Sequence, residues 1–250
     1  MVVSQPDVGH TSSLPLRVMC ARALTEVASA VAKTFTERTG RYVDVTFGTV
    51  GALLAKLDAG DTADVLVLSA PLIDRLQQSG QIEATSTQTI GSTGIGLAVP
   101  QGAANPDIST PETFRATLAN ARSVAFSDPA VGGSAGVYLA ELFERIGLAD
   151  MMKNKGLPQQ SGGEVARRVA EGVADIGMTQ ISEMLVVKGI CVVGSLPKPL
   201  GKDTTYRAAV HAGSARPDAA RAFIALLGSR EAQKLLRATG FEAPAGEGSE

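Results

Sequence analysis

The sequence predicts an α/β protein of mainly parallel sheets flanked by helices, and three observations carry that reading. Strand-like and helix-like segments alternate along nearly the whole chain. Glycines stand where helical periodicity stops, at Gly40, Gly60, Gly80, Gly147 and Gly172. Five short segments rich in small residues each join a strand to a following helix, at 21–23, 48–51, 132–136, 161–163 and 179–181. A helix N-terminus carries unpaired N–H groups at the positive end of its dipole, so each junction suits an anion. Converging on one cleft, such junctions make a cage for a small oxyanion or carboxylate.

Residues 16–20 read as the first strand. Leu24, Val27, Val31 and Phe35 then recur at helical spacing, which predicts a helix over 24–39. Residues 42–47 alternate as a second strand, 51–59 form a short helix, and the apolar run 63–68 is a buried strand. A helix over 71–78 follows. The polar stretch 85–91 leads to a strand at 94–99, and 100–111 is a turn-rich connector. Thr110 caps a helix whose first position is Pro111, with Glu112 next. Residues 123–126 and 174–178 read as strands, and 136–146 and 164–171 as helices. A strand at 191–193 enters the turn 197–199, 205–211 is a further strand, and 217–227 and 230–239 are closing helices.

This order divides the chain into a first lobe of residues 16–90 and a second lobe of residues 95–203; the return of residues 206–245 to the first lobe leans on the resemblance described below. Residues 1–15 and 246–250 are expected to be flexible ends. Two crossings between lobes, near 91–94 and 203–206, make a hinge.

Composition narrows the function. Net charge is −2 with scattered Lys and Arg, so no basic stripe points to nucleic acid. Aromatic residues make up 4% and Trp is absent, which argues against stacking platforms. Two cysteines and two histidines leave almost no material for a metal site, and no cofactor is implied. No Walker loop or Ser-His-Asp arrangement is present, and the glycine-rich run 91–96 lacks the flanking elements of a dinucleotide loop. Residues 1–15 hold no apolar signal core, and no run approaches the ~18 apolar residues of a membrane helix. The expectation is a cytoplasmic protein as written, or a periplasmic one if an export leader has been trimmed. Cys20 and Cys191 fit a reducing compartment.

Each candidate residue carries two readings. Arg22, at the tip of the first strand, either pairs bidentately with a carboxylate or is a solvated loop arginine. Thr49 either contacts the ligand or caps a helix. Gly132 and Gly133 let backbone approach a guest beside Ser134, or form a flexible turn. Ser161 and Gly162 open a comparable loop. Glu164 is a first-turn charge that complements the helix dipole, or a general base. Gln180 donates its amide to the ligand or packs at a strand end. Cys20 reads as core, His211 as core or hinge, and Tyr138 as packing.

Several motifs taken together resemble a known family. They are Arg22-Ala23-Leu24-Thr25-Glu26-Val27, Phe47-Gly48-Thr49-Val50-Gly51-Ala52-Leu53, Asp58-Ala59-Gly60-Asp61-Thr62-Ala63-Asp64-Val65, Ser127-Asp128-Pro129, Ala135-Gly136-Val137-Tyr138, and Val169-Ala170-Glu171-Gly172 with Ala174-Asp175-Ile176-Gly177. Over residues 16–240 the chain resembles the two-lobed type II periplasmic-binding-protein fold, and within it a divergent, signal-less branch of the molybdate/tungstate-binding protein family.

The family holds its oxyanion with hydroxyls and amides from loops of both lobes and with a tyrosine hydroxyl. By resemblance, the first-loop serine position is Ala23 and the second falls within Thr49-Val50-Gly51. The third loop is Ser134-Ala135-Gly136, the fourth is Ser161-Gly162-Gly163, and the tyrosine position is Gln180. Losing two hydroxyl donors leaves oxygens of the family's usual ligand unpaired, at about 1–3 kcal/mol each, which disfavours molybdate itself.

The resemblance implies a solute-binding protein that closes on a small anion, with an ABC transporter complex as partner if the chain is exported. It implies no nucleic acid and no membrane insertion. The wider family also resembles an aconitate isomerase, which moves a double bond in a tricarboxylate, so a cytoplasmic isomerase is the alternative. An intracellular effector-binding domain is a third reading, although no helix-turn-helix precedes it.

Overall fold

The computed structural model describes residues 14–242; residues 1–13 and 243–250, which hold most of the expected flexible ends, lie outside the described residues. The first half runs β1 (Leu16–Ala21), α1 (Thr25–Thr39), β2 (Val43–Gly48), α2 (Val50–Asp58), β3 (Val65–Ser69), α3 (Ala70–Gln78), β4 (Gln88–Pro100) and α4 (Pro111–Asn120). It continues β5 (Val124–Ser127), α5 (Ser134–Arg145), α6 (Ala149–Lys155), β6 (Gly156–Gln159), α7 (Gly162–Ala170), β7 (Ile176–Gln180) and α8 (Ile181–Met184). The last elements are β8 (Ile190–Ser195), β9 (Asp203–Val210), α9 (Pro217–Leu227) and α10 (Arg230–Ala238).

The strands follow the order β2-β1-β3-β9-β4-β7-β5-β6, with β8 on β4. β1 runs parallel to both β2 and β3, so Val18 faces Val45 on one side and Val65 on the other. β5 is likewise parallel to β6 and β7. The pairs made by β4 and β9 are antiparallel. The expected parallel pairing therefore holds for the outer strands, while the centre is mixed. The cause is topological: β4 carries the chain out of the first sheet and β9 brings it back, so side by side they run in opposite directions. Residues 88–94 of β4 pair with β9, and residues 95–98 pair with β7. One long strand thus joins the two halves of a two-lobed α/β fold.

Each half has its own core. Phe35 of α1 and Phe223 of α9 meet edge-to-face at 5.7 Å over Val18, Val65 and Val67 of the first sheet. In the other half Phe126 and Phe143 meet at 5.3 Å, surrounded by Leu97, Phe114, Leu139 and Met178. The helical stripe read from Val27, Val31 and Phe35 is buried, and Gly40 ends α1 at φ 70°, the left-handed cap.

Some elements depart from the sequence reading. A 3-10 turn over Arg22–Leu24 comes before α1, which starts at Thr25. β4 begins at Gln88, because its largely polar first half is hydrogen-bonded to β9 and anchored in the first core by Ile90, which is fully buried. β6 carries Pro158 and pairs only with β5, at the sheet edge where a missing N–H is tolerated. The short helix α6, absent from the sequence reading, starts two residues after the Gly147 turn that ends α5, and α8 follows directly on β7.

Candidate functional site

The five strand-to-helix junctions meet at one place. β1, β2, β5, β6 and β7 all end on a cavity of about 40 Å³ at the seam between the sheets. Ligands of open α/β sheets bind outside the carboxyl ends of the strands, and this cavity lies there. Arg22, Ala23, Thr49, Ser134, Ala135, Gly136, Ser161, Gly162 and Gln180 all line it.

Gly51 and Glu164 are not in its lining. The Gly51 amide donates across the cleft to the Gly132 carbonyl at 3.1 Å. A Cβ on Gly51 would lie 3.1 Å from Gly132 Cα and O, so the two glycines press backbone on backbone and leave no room for a ligand atom. Glu164 faces a separate surface hollow with Arg167, Arg168 and Glu171. Its Oε2 accepts from the Gln160 amide at 3.0 Å and its Oε1 lies 3.9 Å from Arg167. Its place is that of a first-turn charge on α7.

The donors differ in what they have free. The residue before α5 is Gly133, which offers no side-chain cap, so the cavity-lining amides of Ser134, Ala135 and Gly136 form an uncapped helix N-terminus. The Ser161 hydroxyl accepts from the Glu164 amide at 3.2 Å as the cap of α7, which leaves its own proton to give. Thr49 also caps its helix, but its hydroxyl proton goes to the Val131 carbonyl at 2.6 Å. Thr49 therefore ties the two halves together more directly than it grips a guest. Arg22 is exposed at the rim.

Among the lining residues that the sequence reading did not offer as ligand contacts are Ser127, Glu183 and Tyr206. Glu183 is the carboxylate of the cavity. Its Oε1 accepts from the Gly162 amide at 3.2 Å, and its Oε2 lies 3.5 Å from the Thr179 hydroxyl. Thr179 in turn pairs with Ser127 at 2.8 Å. Burial pushes the Glu183 carboxyl above its ordinary range, against the pull of the Gly162 amide, the Arg22 charge and the Thr179 hydroxyl. Gly162 makes the contact possible: a Cβ there would stand 2.6 Å from the Glu183 carboxyl and 2.5 Å from Thr179 Oγ1. A signal for Glu183 was present, since it stands three residues past Gln180, the capping-box position for a carboxylate.

Tyr206 comes from β9 and is 2% exposed. Its hydroxyl donates to Gln180 Oε1 at 2.9 Å, and Ser134 lies within hydrogen-bond reach of it. Burial pushes the phenol well above its ordinary range, so it stays a neutral donor. The Gln180 Nε2 atom is buried and has no partner among the described residues. Cys20 lies in the β1 core, where burial holds the thiol protonated and unreactive. Among the described residues no cluster of three or more His, Cys, Asp or Glu is placed to hold a metal, and no helix is long and apolar enough to cross a membrane.

Comparison with known proteins places this geometry in context. A family model described as bacterial extracellular solute-binding protein matches residues 16–242. The chain is 34% identical to an aconitate isomerase of Pseudomonas sp over 97% of its own length and 93% of the relative's. It is 24% identical to the molybdate-binding protein ModA of Escherichia coli (strain K12), over 90% of this chain and 88% of that one. Among solved structures, the periplasmic molybdate-binding protein of Azotobacter vinelandii superposes with a TM-score of 0.74 at 20% identity, covering 92% of this chain and 99% of that one. At that identity the superposition speaks for the fold.

Proposed function

The chain belongs to the family of bacterial extracellular solute-binding proteins, and from that premise we propose that it closes on a small polycarboxylate and shifts a proton within it, as an aconitate isomerase. The observation that carries the reading is Glu183: a carboxyl whose affinity for a proton is raised by burial, on the wall of a cavity otherwise furnished with anion donors. A general base works best when its pKa is drawn toward the operating pH, and a buried carboxyl meets that need. Similarity to an aconitate isomerase supports the substrate class.

The chemistry requires no redox partner. The Glu183 carboxylate removes a proton from the methylene of the bound tricarboxylate, and the C–H electron pair spreads over the allylic carbons into the neighbouring carboxylates. The uncapped amides of α5, the Ser161 hydroxyl and the Arg22 guanidinium hold that charge. Glu183 then returns the proton to the far allylic carbon, and the double bond has moved with atoms and charge conserved. Thr179 and Gly162 hold the carboxyl in place between the two transfers.

A second reading, a receptor without catalysis, is favoured by the cross-cleft bonds Thr49–Val131 and Gly51–Gly132, which serve closure on any anion. That reading gives the protein a membrane transporter as partner.

Two assays separate the readings. Incubation with cis- and trans-aconitate, followed by ultraviolet absorbance, shows interconversion for an isomerase and none for a receptor. A thermal-shift panel of polycarboxylates, sulfate, phosphate, molybdate and tungstate names the ligand. A specific ligand at a hundred times its Kd stabilises the fold by about 2.7 kcal/mol.

A further inference from the structure

We infer that the cleft has a second chamber that receives one carboxylate arm of an extended ligand, with Arg22 and Ser182 as its anchors; this rests on the polycarboxylate reading above. Beside the first cavity lies another of about 180 Å³. Arg22, Ala23, Ser161 and Glu183 wall both chambers, and the second continues past them to Thr25, Ser182 and Thr239.

Two groups open to a guest belong to this second chamber, one buried and one at the rim. Ser182 is 3% exposed, and its hydroxyl has no hydrogen-bond partner among the described residues. Buried hydroxyls are almost always paired, so an orphan on a cavity wall marks where a guest atom is expected. Arg22 is the other. No ion pair within 4.0 Å engages its guanidinium among the described residues, although its charge reaches Glu183. A guanidinium fork and a single hydroxyl proton together suit the two oxygens of a carboxylate.

Size then separates ligand classes. The first chamber, of about 40 Å³, suits a compact anionic group, and Ser182 is not on its wall. A three-armed carboxylate places one arm in the first chamber and extends another past the Arg22–Glu183 wall. Glu26, also on the wall of the second chamber, repels any further negative charge and limits the subsite to one carboxylate.

The test is isothermal titration of wild type and Ser182→Ala with tricarballylate, malonate and sulfate. Tricarballylate is a saturated tricarboxylate that cannot isomerise. Wild type is expected to bind tricarballylate more tightly than malonate or sulfate. Ser182→Ala is expected to lose about tenfold in affinity for tricarballylate and little for the two compact anions. Unchanged tricarballylate affinity in Ser182→Ala, an equal loss for all three ligands, or a wild type without preference for tricarballylate overturns the inference. Because the readout is binding, tricarballylate selectivity without aconitate turnover upholds the second chamber while removing the isomerase reading.

Discussion

The Tyr206 hydroxyl of β9 donates to the Gln180 side-chain oxygen at the end of β7, 2.9 Å away. This bond joins the strand that returns to the first sheet with the strand whose tip carries α8 and Glu183. It also fixes the Gln180 amide, so that the orphaned Nε2 is held ready as a donor. Tyr206→Phe leaves Gln180 Oε1 without its donor. The expected outcome is a loss of about tenfold in anion affinity, measured by titration calorimetry, with the fold retained by circular dichroism.

Glu183 makes stability depend on pH. Its proton affinity is raised above the ordinary 4.5 by burial, so the protonated form is the one the fold favours. The associated stability is fully present below the ordinary carboxylate range and is lost as pH rises through the raised value. Replacing Glu183 with Gln removes that dependence. In unliganded urea titrations, Glu183→Gln is expected to gain on wild type as pH rises from 4 to 8, with the difference vanishing at the acid end. A difference that grows toward acid contradicts the assignment.

Gly162→Ala puts a Cβ against backbone-anchored Thr179 and the Glu183 carboxyl. The expected result is displacement of Glu183 and a fall in turnover of at least a hundredfold, within the usual range for a misplaced general base. Anion binding through α5 remains measurable in the same protein.

Gly51→Ala separates closure from stability. Gly51 is the second residue of α2, where Ala is at least as good a helix former, so the unliganded protein is expected to melt close to wild type. In the structure the added Cβ stands 3.1 Å from Gly132, and on the proposed hinge motion an opening of the cleft relieves that contact. Ligand affinity is expected to fall while unliganded stability holds, with solution scattering showing a more open average shape in the presence of ligand.

A structural control lies far from the cavity. Asp64 is 3% exposed and accepts from the Arg17 amide at 2.9 Å and the Ser214 hydroxyl at 2.8 Å, with Arg216 at 3.2 Å. Asp64→Ala strands a mostly buried guanidinium and is expected to cost about 3–5 kcal/mol in urea unfolding. Residual folded protein is expected to keep its anion preference.

The sequence was most readable where local chemistry alone sets the outcome. The stripe of α1, the Thr110–Pro111 start of α4 and the glycine stops each depend on neighbours within a turn. The five junctions were visible for the same reason, and the two-lobed class came from their order taken together with the family resemblance. What long-range pairing decides was harder to see. The polar half of β4 is a strand only because β9 lies beside it, and β6 survives its proline only because it is an edge. The site shows the same division. Gly51 looked like an amide donor until Gly132, far along the chain, took its hydrogen. Glu164 drew attention as the carboxylate nearest a glycine loop, whereas Glu183 reaches that loop from a different helix. Tyr206 was read only as part of a strand and of a lobe crossing.

The central claim is that Glu183 transfers the proton within a bound tricarboxylate. Its most direct test is proton NMR of trans-aconitate incubated with wild type and with Glu183→Gln, each first shown by calorimetry to bind tricarballylate. The account predicts conversion to the cis isomer by wild type, and binding without conversion by Glu183→Gln, a loss of about 10²–10⁴-fold in rate. Conversion by Glu183→Gln at the wild-type rate, or no conversion by a wild type that binds, would contradict it.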